Sequence, residues 1–226
     1  MFKVILWDVD GTLFNFEKSE KYAIRQCFSK FNMGECTDEM IYRYAAINSS
    51  YWKRMEAGEI TKEQVLLGRF SEFFSSENIY CPNVSAFNDE YQIRLGDKVF
   101  FNDNCCQLIR RLKGKMKQYV VTNGTYVAQK RKLERSGLRD DFDGIFISEE
   151  IGIEKPNVGF FEYIWKQIGY FEKEDIVIVG DSLTSDMQGG NNAGIRCCWY
   201  NPERKENNTD VRIDYQIQNL NEIENL

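Results

Sequence analysis

The stretch Phe2-Lys3-Val4-Ile5-Leu6-Trp7-Asp8-Val9-Asp10-Gly11-Thr12 decides the fold. Its apolar part has the length and the β-branched and aromatic content of a strand buried on both faces, as in a covered parallel sheet. It ends on two carboxylates and a glycine. In open parallel sheets ligands bind beyond the carboxyl ends of the strands, so Asp8 and Asp10 stand where chemistry is expected. Taken singly, each is an ordinary turn or helix-capping carboxylate.

Working outward, residues 118–122, 144–147, 176–179 and 195–199 form four more short apolar runs, and a last strand is expected near 213–216 after the polar loop 201–210. Helical spacing fills 103–113, 126–136, 156–168 and 184–192 between them. Strand and helix in alternation imply right-handed crossovers and an α/β, doubly wound parallel sheet. The alternation fails over residues 16–98. There Tyr22, Ile24, Cys27, Phe28 and Phe31 approximate one helix face, and Val65, Leu66, Phe70, Phe73 and Phe74 another. Thr61 with Gln64 has the spacing of a helix-starting capping box. The expected organisation is a core of residues 1–15 and 99–226 with an all-helical domain, 16–98, inserted after the first strand.

Composition removes several function classes. A chain of 226 residues with 42% hydrophobic content has material for a full core. It contains no run approaching the roughly 20 apolar residues of a membrane span. The first apolar run is followed by charges where a signal peptide would carry small residues, so a soluble, cytoplasmic protein is expected. The seven Cys lack zinc or redox spacing and read as reduced thiols. With no His at all, Ser-His-Asp triads, Cys-His dyads, His-ligated zinc and imidazole proton shuttles are excluded. A net charge of −6 offers no basic stripe for a nucleic acid polymer. Chemistry is left to carboxylates, Lys, hydroxyls and thiols.

The residues that succeed the later strands are of that kind. Thr122-Asn123-Gly124 comes after the second, Lys155-Pro156 precedes a helix, and Gly180-Asp181-Ser182 with Asp186 comes after the fourth. Each has a plain structural role to hand: a strand-end hydroxyl, a solvated lysine before a helix-opening proline, a strand-to-turn dipeptide. Their order, after successive strands of one sheet, brings them to one edge. Carboxylates crowded there repel unless a cation compensates, and hard oxygen ligands without His point to Mg²⁺, with Mn²⁺ as a substitute. Such a site suits a phosphate ester, which an Asp attacks at phosphorus while a second carboxyl protonates the leaving oxygen.

These four elements resemble the motifs of the haloacid-dehalogenase superfamily, and the resemblance covers nearly the whole chain. It implies a Rossmann-like core with Asp8 as covalent nucleophile and Asp10 as general acid and base. It also implies Thr122, Asn123, Gly124 and Lys155 around the phosphate, and Mg²⁺ held by Asp8, Asp181 and the Asp10 backbone carbonyl, with Asp186 in support. Members that displace halide from carbon do not keep the second Asp, so Asp10 favours phosphate transfer over dehalogenation.

The helical insertion sits where that superfamily places a C1-type cap. Stretches such as Gly58-Glu59-Ile60-Thr61 and Ile147-Ser148-Glu149-Glu150 resemble its bacterial pyrimidine 5′-nucleotidase branch more specifically. The expected substrate is therefore a nucleoside 5′-monophosphate, with Phe16 or Trp52 stacking on the base and Asn48 or Arg69 hydrogen-bonding to it. Simple packing of the cap is the competing role for these four. A sugar-phosphate or phosphoglycolate phosphatase, a phosphomutase and a receiver-like phospho-Asp module are the alternatives. The assembly expected is a monomer or small homo-oligomer.

Overall fold

Val4 and Leu6 belong to one apolar layer and Ile5 and Trp7 to another, so the first strand is buried on both faces. In the computed structural model, which describes residues 2–169 and 171–226, this strand, β1 (Val4–Trp7), is central in a six-stranded parallel sheet. The order is β3-β2-β1-β4-β5-β6, with β2 Lys117–Thr122, β3 Gly144–Ile147, β4 Ile176–Gly180, β5 Arg196–Tyr200 and β6 Tyr215–Ile217. Trp7 pairs with Val120 on one side and Val179 on the other, which brings the ends of β1, β2 and β4 level. Chain order reverses at β1. That reversal opens a crevice beyond the strand ends, where Asp8 begins.

Four helices lie between β1 and the rest of the sheet: α1 (Phe16–Lys30), α2 (Asp38–Glu56), α3 (Lys62–Ser76) and α4 (Val84–Leu95). Among the described residues, 16–98 contain no strand. Thr61 and Gln64 form the expected reciprocal cap at the start of α3. The four helices share a core of their own in which Tyr44 stacks on Phe70 at 5.1 Å and Phe70 meets Phe87 and Tyr91 edge-on at 5.0 Å each. Such pairs contribute about 0.5–1.5 kcal/mol beyond simple burial. Phe70, Phe73 and Phe74 are thereby packing residues.

Beyond the insertion come α5 (Cys105–Leu112), α6 (Tyr126–Ser136), α7 (Ser148–Ile151), α8 (Val158–Ile168) and α9 (Gln188–Ala193). Three expected helix boundaries move. Asp103 does not open α5, because it has a positive φ of 46° and its carboxylate accepts from Tyr200 and from the Leu220 N–H. Pro156 lies outside α8, which is capped instead by Asn157 accepting the Gly159 N–H at 2.8 Å. The expected helix 184–192 begins as a wide π-type turn, Leu183–Met187, capped by Ser182, before α9 continues it. The last strand starts at Tyr215, since the Asp214 side chain takes the Cys197 N–H at 2.9 Å. All seven cysteines are free thiols. No helix among the described residues is long and apolar enough to cross a membrane.

Candidate active site

Asp8 extends from the end of β1, its backbone N–H still bonded to Val179 O at 2.9 Å. Lys155 points back at it from the turn before α8. The Lys155 ammonium donates to Asp8 Oδ1 at 2.9 Å, Asp186 Oδ1 at 2.5 Å and Val121 O at 2.8 Å, using all three of its protons. Burial opposes the charge on Lys155, but Asp186 and Asp8 outweigh it and hold the ammonium above its ordinary pKa. Asp8 is itself raised well above the usual carboxylate range, first by burial and then by Asp186, with Lys155 opposing.

Carboxylate oxygens of Asp8, Asp181 and Asp186 lie within 4.8 Å of one another. Asp181 is open to the cleft yet surrounded deeply enough that desolvation, and then the Asp186 charge, push it up to about 7. Three carboxylates around one ammonium leave surplus negative charge, and an all-oxygen donor set without His fits a hard divalent cation. Gly11 makes the cluster possible. At its φ of +95° a side chain is strained, and a Cβ would fall 2.4 Å from Asp181 Oδ2. Thr12 holds the opposite oxygen of Asp181 at 3.0 Å.

Asp10 lies outside that cluster. Its carboxylate accepts from Gln129 Nε2 at 2.6 Å and from the Lys132 ammonium, and it borders the same cleft. Thr122 is buried and its hydroxyl oxygen accepts the Gly124 N–H at 3.1 Å. The Asn123 side chain does something the sequence did not reveal. It takes the Lys155 N–H at 2.9 Å and donates to Lys155 O at 2.8 Å and to Ser185, clamping the lysine's backbone.

Sheet ends and helices α1–α4 enclose a cavity of about 520 Å³. Asp8, Asp10, Thr122, Asn123, Gly124 and Asp181 line one side, and Phe16, Asn48, Trp52 and Arg69 the other. Phe16 and Trp52 are half-buried on that wall. Asn48 and Arg69 are not free side chains. Arg69 donates to Asn48 at 2.7 Å and Asn88 at 3.2 Å and lies over the Phe70 ring, while Asn48 donates to Glu20 at 2.8 Å. Only Arg69 Nε, among its guanidinium nitrogens, is buried without a partner.

Sequence reasoning missed Glu20, Glu56, Lys62, Gln129 and Lys132. Burial raises both Glu20 and Glu56 to about 7. Glu56, at the end of α2, accepts from Thr184, and Lys62, at the start of α3, donates to Ser148 Oγ at 3.0 Å and Gly124 O at 3.3 Å, so the helices touch the sheet edge directly. For Gln129 and Lys132 a signal existed: they stand three apart on α6, on the buried face they share with Leu133.

A family model described as haloacid dehalogenase-like hydrolase matches residues 2–194. The chain belongs to that family. This hydrolase is 34% identical over 222 residues to the HAD-hydrolase YfnB of Bacillus subtilis, covering 98% of this chain and 94% of that one. It is 34% identical to the pyrimidine 5′-nucleotidase PynA of Streptococcus pneumoniae, over 98% of this chain and 93% of that protein. The corresponding value for the pyrimidine 5′-nucleotidase YjjG of Escherichia coli is 31%, over 98% and 96%. The crystal structure of YfnB bound to magnesium matches with a TM-score of 0.93 at 33% identity, covering 99% of this chain and 97% of that one.

Proposed function

We propose that this hydrolase is a Mg²⁺-dependent phosphatase of nucleoside 5′-monophosphates, with pyrimidine nucleotides as its substrates and the cytoplasm as its setting. The observation that carries it is the placement of Asp8: a carboxylate oxygen 2.9 Å from a buried ammonium, beside two more carboxylates, at the floor of a cavity that Asp10 also borders. A cavity of about 520 Å³ is of a size that suits a nucleotide. The likeness to the pyrimidine 5′-nucleotidases PynA and YjjG supports the pyrimidine preference.

In the first step an Asp8 oxygen bonds to phosphorus as the bond from phosphorus to the ester oxygen breaks, and Asp10 gives that oxygen a proton. In the second, water bonds to phosphorus, its proton passes to Asp10, and the Asp8–phosphorus bond breaks to release phosphate. Lys155, whose proton on Asp8 is released once that oxygen bonds to phosphorus, and Thr122, whose hydroxyl proton is not used in accepting the Gly124 N–H, are the side chains that would hold the phosphoryl oxygens, with the Asn123 amide. Asp8 and Asp181, with Asp186 close by, are the residues that would hold Mg²⁺. When bound, the ion offsets negative charge on the phosphoryl group.

Helices α1–α4 act as the cap, excluding water during the first step and limiting which leaving groups fit. Phe16 and Trp52 provide the stacking surface for a base. Phosphate release across a panel of nucleotides, sugar phosphates and phosphoglycolate, with and without Mg²⁺, tests this. Preference for UMP and CMP over sugar phosphates is expected, and activity confined to sugar phosphates overturns the substrate assignment.

A further inference from the structure

We infer that Lys132 and Gln129 are positioning residues that hold Asp10 for its proton transfers; the inference rests on the acid–base role proposed for Asp10.

Lys132 is the informative residue. Its side chain is 1% exposed, and Asp10 is the carboxylate its ammonium contacts. A buried ammonium is costly without a partner, so Lys132 is tolerated in the interior of α6 by virtue of Asp10. Gln129, fully buried one turn earlier, holds the other oxygen of the same carboxylate at 2.6 Å. Turning its amide nitrogen toward Asp10 leaves Gln129 Oε1 buried with no partner. A buried acceptor left unpaired costs about 1–3 kcal/mol, so the orientation is imposed by Asp10 and not by the surroundings of Gln129.

Gly124 completes the arrangement. A Cβ at that position would fall 2.0 Å from Gln129 Nε2, so this glycine of the Thr122-Asn123-Gly124 turn leaves the space through which Gln129 reaches Asp10. Each oxygen of Asp10 is thus fixed by its own buried donor, while the side chain remains 21% exposed toward the cleft.

Two accepted hydrogen bonds describe a carboxylate. That is the form Asp10 reaches after its proton has gone to the ester oxygen, and from which it takes a proton from water. The donors leave the carboxylate facing the cavity that Asp8 also lines, where the ester oxygen would part from phosphorus. A leaving oxygen that needs no proton has little use for that arrangement.

The test is kcat/KM, which reports the first chemical step, for a dinitrophenyl phosphate and for an alkyl phosphate such as the nucleotide, with Mg²⁺ and the full chain. Asp10→Ala is expected to lose about 10²–10⁴-fold on the alkyl ester and at least tenfold less on the dinitrophenyl ester. Lys132→Met and Gln129→Leu are expected to shift the ratio of the two esters in the same direction, by roughly tenfold or more, with Lys132→Arg recovering part of it. Should Lys132→Met fail to fold, Gln129→Leu and Gly124→Ala are judged by the same ratio. If Asp10→Ala is selective between the esters and these variants are not, the positioning role is overturned while that of Asp10 stands. If Asp10→Ala itself loses both esters equally, the role of Asp10 is overturned and the inference with it.

Discussion

Lys155 Nζ lies 2.9 Å from Asp8 Oδ1 and spends its remaining two protons on Asp186 and on the Val121 carbonyl, out of solvent. One ammonium thereby neutralises part of a site that holds three carboxylates, and it places the Asp8 oxygen at the end of β1 with little freedom to turn. Removing one partner of a buried ion pair leaves the other charge uncompensated, at a cost of about 3–5 kcal/mol. Lys155→Met is expected to lose that much stability in urea unfolding without metal. Mg²⁺ is expected to restore more of it than the ion adds to wild type.

Gly11 sits where a side chain would collide with Asp181. Gly11→Ala is therefore expected to displace that carboxylate and weaken Mg²⁺ binding by roughly tenfold or more, about 1.4 kcal/mol, in isothermal titration. Saturating Mg²⁺ is expected to raise the melting temperature of wild type, since a ligand that binds only the folded state stabilises it. That increment should shrink in Gly11→Ala and disappear in Asp181→Ala. Chelation is expected to abolish phosphatase activity in all three.

Glu20 is raised from 4.5 to about 7 by burial in the helical core beside Asn48. A carboxyl raised on folding binds more protons in the native than in the unfolded state between those values. Its contribution is fully present below about 4.5 and is lost as pH rises through about 7. Glu20→Gln removes the titration and keeps an acceptor for Asn48. Its stability relative to wild type is expected to rise between about pH 5 and 8, by up to about 3 kcal/mol. A difference that stays constant with pH would contradict the assignment.

Trp52 faces the cavity from α2, half-buried, while Phe70 is enclosed among rings. Their substitutions should separate recognition from packing. Trp52→Ala is expected to raise KM for nucleotides about tenfold or more, as loss of a stacking contact of 1–3 kcal/mol implies, and to leave KM for glycerol phosphate close to wild type. Phe70→Ala is expected to cost about 3–5 kcal/mol of stability with no such selectivity.

Strand runs and post-strand residues were legible because both depend on short-range pattern. A strand covered on both faces must be apolar throughout, and a parallel sheet presents the residues just past its strands at one edge. Helix and strand ends were less legible, since Asp103 and Asp214 are committed to the distant Leu220 and Cys197 amides, and Asn157 takes the capping role beside a proline that could equally have opened the helix. The supporting shell was invisible for a related reason. Asn123 as a clamp on Lys155, and Glu56 against Thr184, are contacts across 32 and 128 residues of chain. Arg69, read as a possible base contact, is largely taken up by Asn48 and Asn88. An arginine on a helix face looks the same in sequence whether it serves a ligand or a buried polar network.

In the proposed reaction the phosphoryl group passes through Asp8. Acid quenching during turnover of a nucleoside monophosphate with Mg²⁺, then borohydride reduction and peptide mass analysis, tests it most directly. Conversion of Asp8 to homoserine in wild type, with no conversion at Asp10, is expected. Asp8→Asn should show no conversion and a loss of at least about 10³-fold in kcat, roughly 4 kcal/mol of transition-state stabilisation. Steady phosphate release with Asp8 unmodified, or an Asp8→Asn variant that retains activity, would contradict it.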